Sequence, residues 1–419
     1  MSHRAPQPAG SPAAPARREF LKKSAAALFL MGLPYGELFS EDDGLEGIAP
    51  SGYGDIKFVM ESAPGPETVI NGKRVVYFGG TGYFALQGHP EVIEAGIAGF
   101  RKYGVHPATS RTGFGHNPLT IEIEKTIAGY FGTEDSLHFV SGYLDNLFLV
   151  QALRDKVDAV FIDETAHFSI KDAVYSALKP VVLFRHRDPE DLARKLKAGL
   201  KPGQVPLVMT DGIFPTFGLI APVPDYVKAI EPYNGYLCLD DSHSVGVLGP
   251  NGRGTLEHFG ITSDRCYFAG TMSKAFGGHG GFIPGSKAFI DHIKATCGAY
   301  AGATPSPNAG VAASIKGMQI VIREPQRRER LRRNVAHIKG GLRKLGLEMN
   351  DNPVPIVTWV MKSAGDMKKV QQELFDKGIA VAYMKYVGAP ESGVLRASIF
   401  SEHTIEQLDR LIDEMKRIA

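Results

Sequence analysis

Polar side chains follow several short apolar runs of this sequence, and their types suit the chemistry of amines and carbonyls. Lys274 ends the segment that begins at Thr271 behind one apolar run, and Asp240 and His243 follow another. His167 comes soon after a third. A lysine amine can hold an aldehyde as an imine and be displaced by a second amine. A carboxylate beside a pyridine nitrogen keeps the ring protonated and therefore electron-accepting.

These residue types together predict a site for pyridoxal 5′-phosphate (PLP), which carries an aldehyde, a pyridine ring and a phosphate. Lys274 is expected to hold the aldehyde as a Schiff base, and Asp240 to face the ring nitrogen. The phosphate needs backbone N–H groups at the start of a helix, with hydroxyls nearby. Gly142 and Tyr143, which open a predicted helix, and Thr271 meet that need.

Two histidines complete the predicted site. His167 is expected to cover the cofactor ring, and His243 to hydrogen-bond the phenolic oxygen or the bound substrate. Each residue alone has an ordinary alternative: an isolated lysine is usually on the surface, and a carboxylate after a strand is commonly a helix N-cap. The joint occurrence of these residues at the ends of apolar runs favours the site.

A parallel sheet is the element that would bring such residues together, because ligands bind at the carboxyl ends of its strands. Short apolar runs alternate with helical segments, which predicts an α/β fold with a doubly wound, mainly parallel sheet. The predicted strands are 137–140, 159–163, 181–184, 206–210, 236–240 and 266–270. The predicted helices between them are 90–102, 120–131, 143–154, 188–197 and 225–231.

Four segments are predicted along the chain. Residues 1–44 form a signal and linker, and residues 45–80 contain a hairpin that turns at Asn71-Gly72. Residues 81–315 form the large cofactor-binding domain, and residues 316–419 a smaller C-terminal α/β domain. A long helical region is expected over 307–346, with later strands at 356–360, 379–382 and 394–399 and helices from 366 and 404.

The composition excludes several other classes of function. The formal net charge is only +2 over 419 residues, which gives no electrostatic case for binding nucleic acid. The three cysteines are far apart and form no C-x-x-C pair, so neither a zinc site nor a disulfide framework is predicted.

The N-terminus carries a targeting pattern. Arg17-Arg18 is followed by Phe20-Leu21-Lys22 and by an apolar run over 25–33. That run is too short for a membrane span, which needs about 20 apolar residues. The pattern predicts a twin-arginine-type signal and export to the periplasm. The alternative is a basic amphipathic helix on a cytoplasmic enzyme.

Two longer motifs resemble the signature of the α-oxoamine synthases, a family of fold-type I PLP-dependent transferases. They are LDDSHSVGVLGPNGRG at 239–254 and GTMSKAFGGHGGF at 270–282, and the similarity extends from about Val69 to the C-terminus. The resemblance implies condensation of an amino acid with an acyl-CoA, with loss of CO2. It also implies a homodimer with sites at the subunit interface, where segment 302–307 would face the partner's phosphate.

The resemblance assigns a role to each candidate residue. Lys274 would be the Schiff-base and proton-transfer residue and Asp240 the pyridinium partner. The resemblance also implies that Arg396 pairs with the carboxylate of the amino acid. The other positions that it carries over are His243 near the phenolic oxygen, His167 on the ring, and Gly142, Tyr143 and Thr271 at the phosphate.

The sequence departs from this family at three places. Gly82 stands where an asparagine is usual, Pro215 where a serine is expected, and the histidine usual near the start of the predicted helix 120–131 is absent from that helix. These positions concern substrate recognition more than cofactor binding. Two alternatives therefore stay open: a PLP enzyme with another reaction on a small amino acid (aminotransferase, aldol lyase or decarboxylase), or a degenerate PLP-fold binding protein.

Overall fold

The computed structural model of the chain describes residues 57–418. The predicted signal at 1–44, with Arg17 and Arg18, lies outside the described residues. All the elements below belong to one compact unit, Phe58–Ala419. The predicted boundary between 81–315 and 316–419 stays a prediction.

A seven-stranded sheet forms the centre of the fold, and it confirms the predicted α/β class. Its order is β3-β11-β10-β9-β6-β4-β5, and all neighbours are parallel except β11, which runs antiparallel to both β10 and β3. All six predicted strands are present, and β11 was missed. The strands are β3 Asp135–Phe139, β4 Ala159–Asp163, β5 Val181–Phe184, β6 Pro206–Asp211, β9 Tyr236–Asp240, β10 Cys266–Thr271 and β11 Gly281–Gly285.

Helices cover both faces of this sheet, as a doubly wound fold requires. Alternate residues of β4 face opposite sides, because successive side chains of a strand point to opposite faces. Val160 and Ile162 pack in the same buried cluster as Leu149, whereas Phe161 packs in a second cluster with Leu192. The helices are α1 Pro90–Tyr103, α2 Pro118–Phe131, α3 Asp145–Leu153, α4 Phe168–Val174, α5 Pro189–Gly199, α6 Val223–Ile230, α7 Thr255–His258, α8 Lys287–Thr296, α9 Gly298–Gly302, α10 Asn308–Arg323, α11 Gln326–Lys344, α12 Ala364–Asp376 and α13 Ile405–Ile418.

Two helix predictions need correction. The helix expected over 143–154 begins at Asp145, because residues 142–144 form a separate 3-10 turn. The single helical region expected over 307–346 is two helices, α10 and α11. They separate at Glu324-Pro325, because proline disfavours helical geometry in the residue before it.

Three smaller sheets complete the unit. The predicted hairpin is formed by β1 Glu67–Ile70 and β2 Lys73–Tyr77, and β2 pairs in parallel with β13 Ile379–Ala380. A second sheet has the order β12-β15-β14, with β12 Ile356–Trp359, β14 Ala382–Met384 and β15 Val394–Ser398. The segment 379–382, expected as one strand, is thus divided between two sheets. The third is a small pair, β7 Ile213–Phe214 with β8 Leu219–Ile220.

One property of the helices bears on membranes. Within residues 57–418, no helix combines the length and the apolar composition that crossing a bilayer requires.

Candidate active site

The carboxyl ends of three neighbouring strands form one side of a cavity of about 240 Å³. Asp240 at the end of β9 lies beside Asp211 on β6 and beside Ala269 on β10. The loop after β10 then brings Lys274 to the same edge of the sheet. The residues that line the cavity are Ser141, Gly142, Tyr143, His167, Ser169, Asp211, Asp240, Ser242, His243, Thr271, Ser273 and Lys274.

Asp240 is a buried carboxylate held by three donors. Its Oδ2 accepts from Asn146 Nδ2 at 3.0 Å and from Ser169 Oγ at 3.2 Å, and its Oδ1 accepts from the Ser242 backbone N–H at 3.1 Å. Burial opposes ionisation, but the charge of Lys274 and the hydrogen bonds from Ser242 hold the pKa of Asp240 below its ordinary value. Asp240 is therefore ionised and can face a protonated ring nitrogen.

The loop that carries Lys274 is fixed by a residue without a predicted role. Gln87 Nε2 donates to the carbonyl oxygens of Ser273 and Lys274, at 3.1 and 2.8 Å. A Cβ atom at Gly82 would lie 2.4 Å from Gln87 Oε1, so the glutamine fills the space beside this glycine. Burial lowers the pKa of Lys274 although Asp240 and other carboxylates oppose the shift. A lowered pKa increases the neutral fraction of the amine, which is the nucleophilic form.

His167 is fixed at both ring nitrogens. Its Nε2 lies 2.7 Å from Tyr386 Oη and its Nδ1 lies 2.7 Å from Ser169 Oγ. The backbone N–H of His167 donates to Asp211 Oδ2 at 2.9 Å. Burial lowers the pKa of the ring, so the histidine is mainly neutral near pH 7. A neutral, rigidly held ring can cover the face of a flat cofactor.

His243 connects the cavity to a buried arginine. Its Nδ1 lies 2.7 Å from the hydroxyl of Tyr83, a fully buried residue that also interacts electrostatically with Arg396. Arg396 lies on β15 and is only 7% exposed, and its Nε and Nη2 have no hydrogen-bond partner among the described residues. Burying unpaired guanidinium groups is costly. The arrangement is therefore typical of a site that binds an anion.

The opposite end of the cavity offers donors for a phosphate. Residues 142–144 form a 3-10 turn, and Gly142 and Tyr143 line the same cavity as Thr271 and Ser273 at the end of β10 and in the loop after it. A Cβ atom at Gly142 would lie 2.7 Å from Thr271 Cβ, so only glycine permits this close approach. Thr271 Oγ1 accepts from the Ser273 backbone N–H at 3.2 Å. The hydroxyls and N–H groups of this end suit a phosphate.

The structure thus brings together seven of the eight predicted residues and leaves Arg396 just outside the cavity lining. The arrangement fits PLP: an amine, a carboxylate for the ring nitrogen, a ring-covering histidine and a polar cradle line one cavity. The role of each residue stays a prediction. The cavity also contains Ser169 and Asp211, for which no role was predicted. Asp211 directly follows the predicted strand 206–210 and ends the observed strand β6, so the same reasoning could have found it.

The departures from the family have clear structural settings. Thr120 belongs to a capping box at the start of α2, where its hydroxyl accepts from the Asn117 backbone N–H at 3.0 Å. Pro215 is buried, and the hydroxyl of the next residue, Thr216, donates to Val387 O at 2.6 Å. The loop after Pro215 is therefore attached to the segment that carries Tyr386.

Metal chemistry has no candidate site in the part of the chain that the structure describes. No group of His, Cys, Asp and Glu side chains over 57–418 is arranged to hold a metal ion. The three cysteines are buried and free.

Comparisons with known proteins agree on one family. The family model for aminotransferase class I and II matches residues 80–415. The 8-amino-7-oxononanoate synthase 1 of Bacillus subtilis is 32% identical over 366 residues, which are 87% of this chain and 93% of the relative. The 8-amino-7-oxononanoate synthase of Thioalkalivibrio sulfidiphilus is 34% identical over 361 residues, or 86% and 92% of the two chains. A solved serine palmitoyltransferase from S. paucimobilis, with bound PLP and myriocin, matches with a TM-score of 0.79 and 28% identity over 86% of this chain and 92% of that one.

Proposed function

We propose that this chain, which belongs to the aminotransferase class I and II family and within it to the α-oxoamine synthases, is a PLP-dependent acyltransferase that condenses an amino acid with an acyl-CoA. The observation that carries the proposal is the cavity itself. The Lys274 amine and the Asp240 carboxylate line it together, and the guanidinium of Arg396, with two nitrogens that have no hydrogen-bond partner among the described residues, lies nearby.

Each side chain then has a defined task. Bound PLP supplies a protonated ring that withdraws electrons from the α-carbon of the amino acid. Asp240 keeps the ring nitrogen charged, and His167 keeps the ring in place. Lys274, as a neutral amine, takes the α-proton. Arg396 binds the substrate carboxylate, because its planar guanidinium can donate two parallel charged hydrogen bonds.

The overall reaction balances without a further reagent. A bond forms between the α-carbon and the acyl carbon, and the thiol of CoA leaves. The carboxyl group of the amino acid leaves as CO2, and a proton replaces it at the α-carbon.

Release of CoA tests this function directly. Purified protein with PLP should release CoA thiol and CO2 only when a small amino acid and an acyl-CoA are both present. Glycine, alanine and serine, each with acyl chains of several lengths, form a suitable screen. CoA release without an amino acid would indicate simple thioester hydrolysis and would contradict the proposal.

A second candidate function is favoured by Gly82 and Pro215, which replace residues expected to contact substrate and cofactor. In that case the protein is a PLP enzyme with another reaction on a small amino acid, such as transamination, aldol cleavage or decarboxylation. Amino-acid consumption that does not depend on acyl-CoA would identify it in the same screen.

The protein is also proposed to be a homodimer. Ile93, Ile97 and Phe100 form an apolar stripe on α1 and are 44%, 37% and 50% exposed. Ser306, within segment 302–307, has a buried hydroxyl without a hydrogen-bond partner among the described residues. An exposed apolar stripe supports an interface between copies. Analytical ultracentrifugation of the purified protein should give a molar mass twice that of one chain. The mass of a monomer would contradict the proposal.

Export by a twin-arginine-type signal remains our proposal for residues 1–44. Replacing both Arg17 and Arg18 with lysine should retain the protein in the cytoplasm, because the paired arginines are the recognised feature of such signals. Fractionation of cells that express the wild-type and the doubly substituted chain provides the measurement. Equal amounts of both in the periplasm, or neither reaching it, would count against the signal.

A further inference from the structure

A second carboxylate lies directly behind Asp240. Asp145, the first residue of α3, is fully buried. Its Oδ1 accepts from the backbone N–H of Asn146 at 2.6 Å and from Asn146 Nδ2 at 2.9 Å. Its Oδ2 lies 3.5 Å from Ser242 Oγ. Asp145 does not line the cavity, so a cofactor bound there would not touch it.

The groups that hold Asp145 are the groups that hold Asp240. Asn146 Nδ2 donates to Asp240 Oδ2 as well as to Asp145, and the Ser242 backbone N–H donates to Asp240 Oδ1. Asn146 is itself fully buried, and its Oδ1 has no partner among the described residues. The orientation of this amide therefore serves the two carboxylates and leaves its own acceptor unsatisfied.

The two carboxylates compete for one negative charge. Two buried acids that share a donor cannot both ionise without strong repulsion. Burial, and then the charge of Asp240, raise the pKa of Asp145 well above its ordinary value. At Asp240 burial is outweighed by the charge of Lys274 and the hydrogen bonds from Ser242, so its pKa lies below the ordinary value. Of the two carboxyl groups, Asp145 is therefore the one whose ionisation this environment disfavours.

We propose that Asp145 is a positioning residue that fixes the Asn146 carboxamide so that its NH2 group faces Asp240. The Asp240 carboxylate is then held at the angle at which it meets the ring nitrogen of the cofactor. This inference rests on the proposed PLP site and not on acyl transfer. It concerns a residue that acts through another, and it assigns Asp145 no contact with substrate.

Two substitutions at Asp145 separate its shape from its charge. Asp145→Asn keeps an oxygen that can accept both bonds from Asn146, so the affinity of the apoprotein for PLP should stay within about twofold of wild type. Asp145→Ala removes that oxygen and should weaken PLP binding about tenfold, equivalent to about 1.4 kcal/mol. PLP titration of the apoprotein gives the affinities. NMR of PLP labelled at the ring nitrogen should show reduced protonation in Asp145→Ala and not in Asp145→Asn.

A double-substitution cycle tests whether Asp145 acts through Asn146. Asn146→Ala should weaken PLP binding at least as much as Asp145→Ala, and the double variant should add no further loss. Asp191→Asn and Asp191→Ala are matched controls, because Asp191 is also a buried acid in the first turn of a helix but lies outside the cavity. They should leave the ring-nitrogen signal unchanged.

Several outcomes would overturn the proposal. Equal losses of PLP affinity in Asp145→Asn and Asp145→Ala would mean that the negative charge of Asp145 is needed. Wild-type affinity in Asp145→Ala would mean that the contact between Asp145 and Asn146 does not contribute to PLP binding. If Asp145→Ala does not fold, as judged by circular dichroism, Asn146→Ala must still shift the ring-nitrogen signal. Wild-type protein that binds PLP but releases no CoA would defeat the acyl-transfer function and leave this inference intact.

Discussion

Replacing Lys274 with alanine should remove the visible absorption band of the bound cofactor and lower kcat/KM for acyl transfer by roughly four to six orders of magnitude. The reason is that one amine performs two tasks: it holds the cofactor covalently and it moves the α-proton. Losing a residue with such a role in a catalytic unit typically costs about this much. Lys274 is suited to both tasks because burial lowers the pKa of its amine while Asp240 stays charged nearby.

Absorption spectra and stopped assays of CoA release provide the two measurements. Lys171 supplies a matched control, since it is also partly buried and burial also lowers its pKa, but it does not line the cavity. Lys171→Ala should keep the band. Small primary amines added to Lys274→Ala should restore part of the proton transfer, because the space of the missing amine is open to them. A persistent band in Lys274→Ala, with the cofactor reduced onto another lysine, would contradict the assignment.

The predicted site was recoverable from sequence because one geometric rule covers most of it. Residues at the carboxyl ends of parallel strands meet at one edge of the sheet, so Asp240 and Lys274 could be placed together without knowing any contact. The same rule, applied to the end of β6, would have added Asp211. The parts of the site that lie on strand ends were therefore accessible to sequence reasoning.

Other parts of the site carry no such signal. Tyr386 is 219 positions from His167, in a loop between β14 and β15, and no periodicity predicts that its hydroxyl reaches the histidine. Gln87 acts on the Lys274 loop through its side-chain amide, 187 positions away. Asn146 lies close to Tyr143 in the sequence. Its side-chain amide donates to two carboxylates only because the fold brings Asp240, at the end of β9, to it.

The errors in the fold have equally local causes. Strand β11 has the sequence Gly-Phe-Ile-Pro-Gly, in which glycine and proline weaken the strand signal, and it is held by pairing on both sides. The break between α10 and α11 was missed because the basic residues around it read as one solvated helix face. Five described arginines of that region contact Glu324, Glu402 or backbone oxygens: Arg323, Arg327, Arg328, Arg330 and Arg332.

Replacing Arg396 with methionine should have opposite effects on substrate binding and on stability. The guanidinium is buried with two nitrogens unpaired, and no carboxylate of the described residues forms a salt bridge with it. Losing charged hydrogen bonds to the substrate carboxylate costs about 1.5–3 kcal/mol each. For two such bonds the loss is at least about 3 kcal/mol, so we expect the KM for the amino acid to rise roughly 150-fold or more. The KM for acyl-CoA should stay nearly constant.

The same substitution should stabilise the apoprotein, by about 1–4 kcal/mol, because an apolar side chain of similar length removes a buried charge that forms no salt bridge with a carboxylate of the described residues. Urea unfolding of both apoproteins measures this change. An amino acid amide, which lacks the carboxylate, should bind wild type and Arg396→Met equally, and this comparison isolates the carboxylate contact. If Arg396→Met instead lost several kcal/mol of stability and bound the amide less well, Arg396 would be a structural residue. Its unpaired nitrogens would then need an explanation other than a substrate carboxylate.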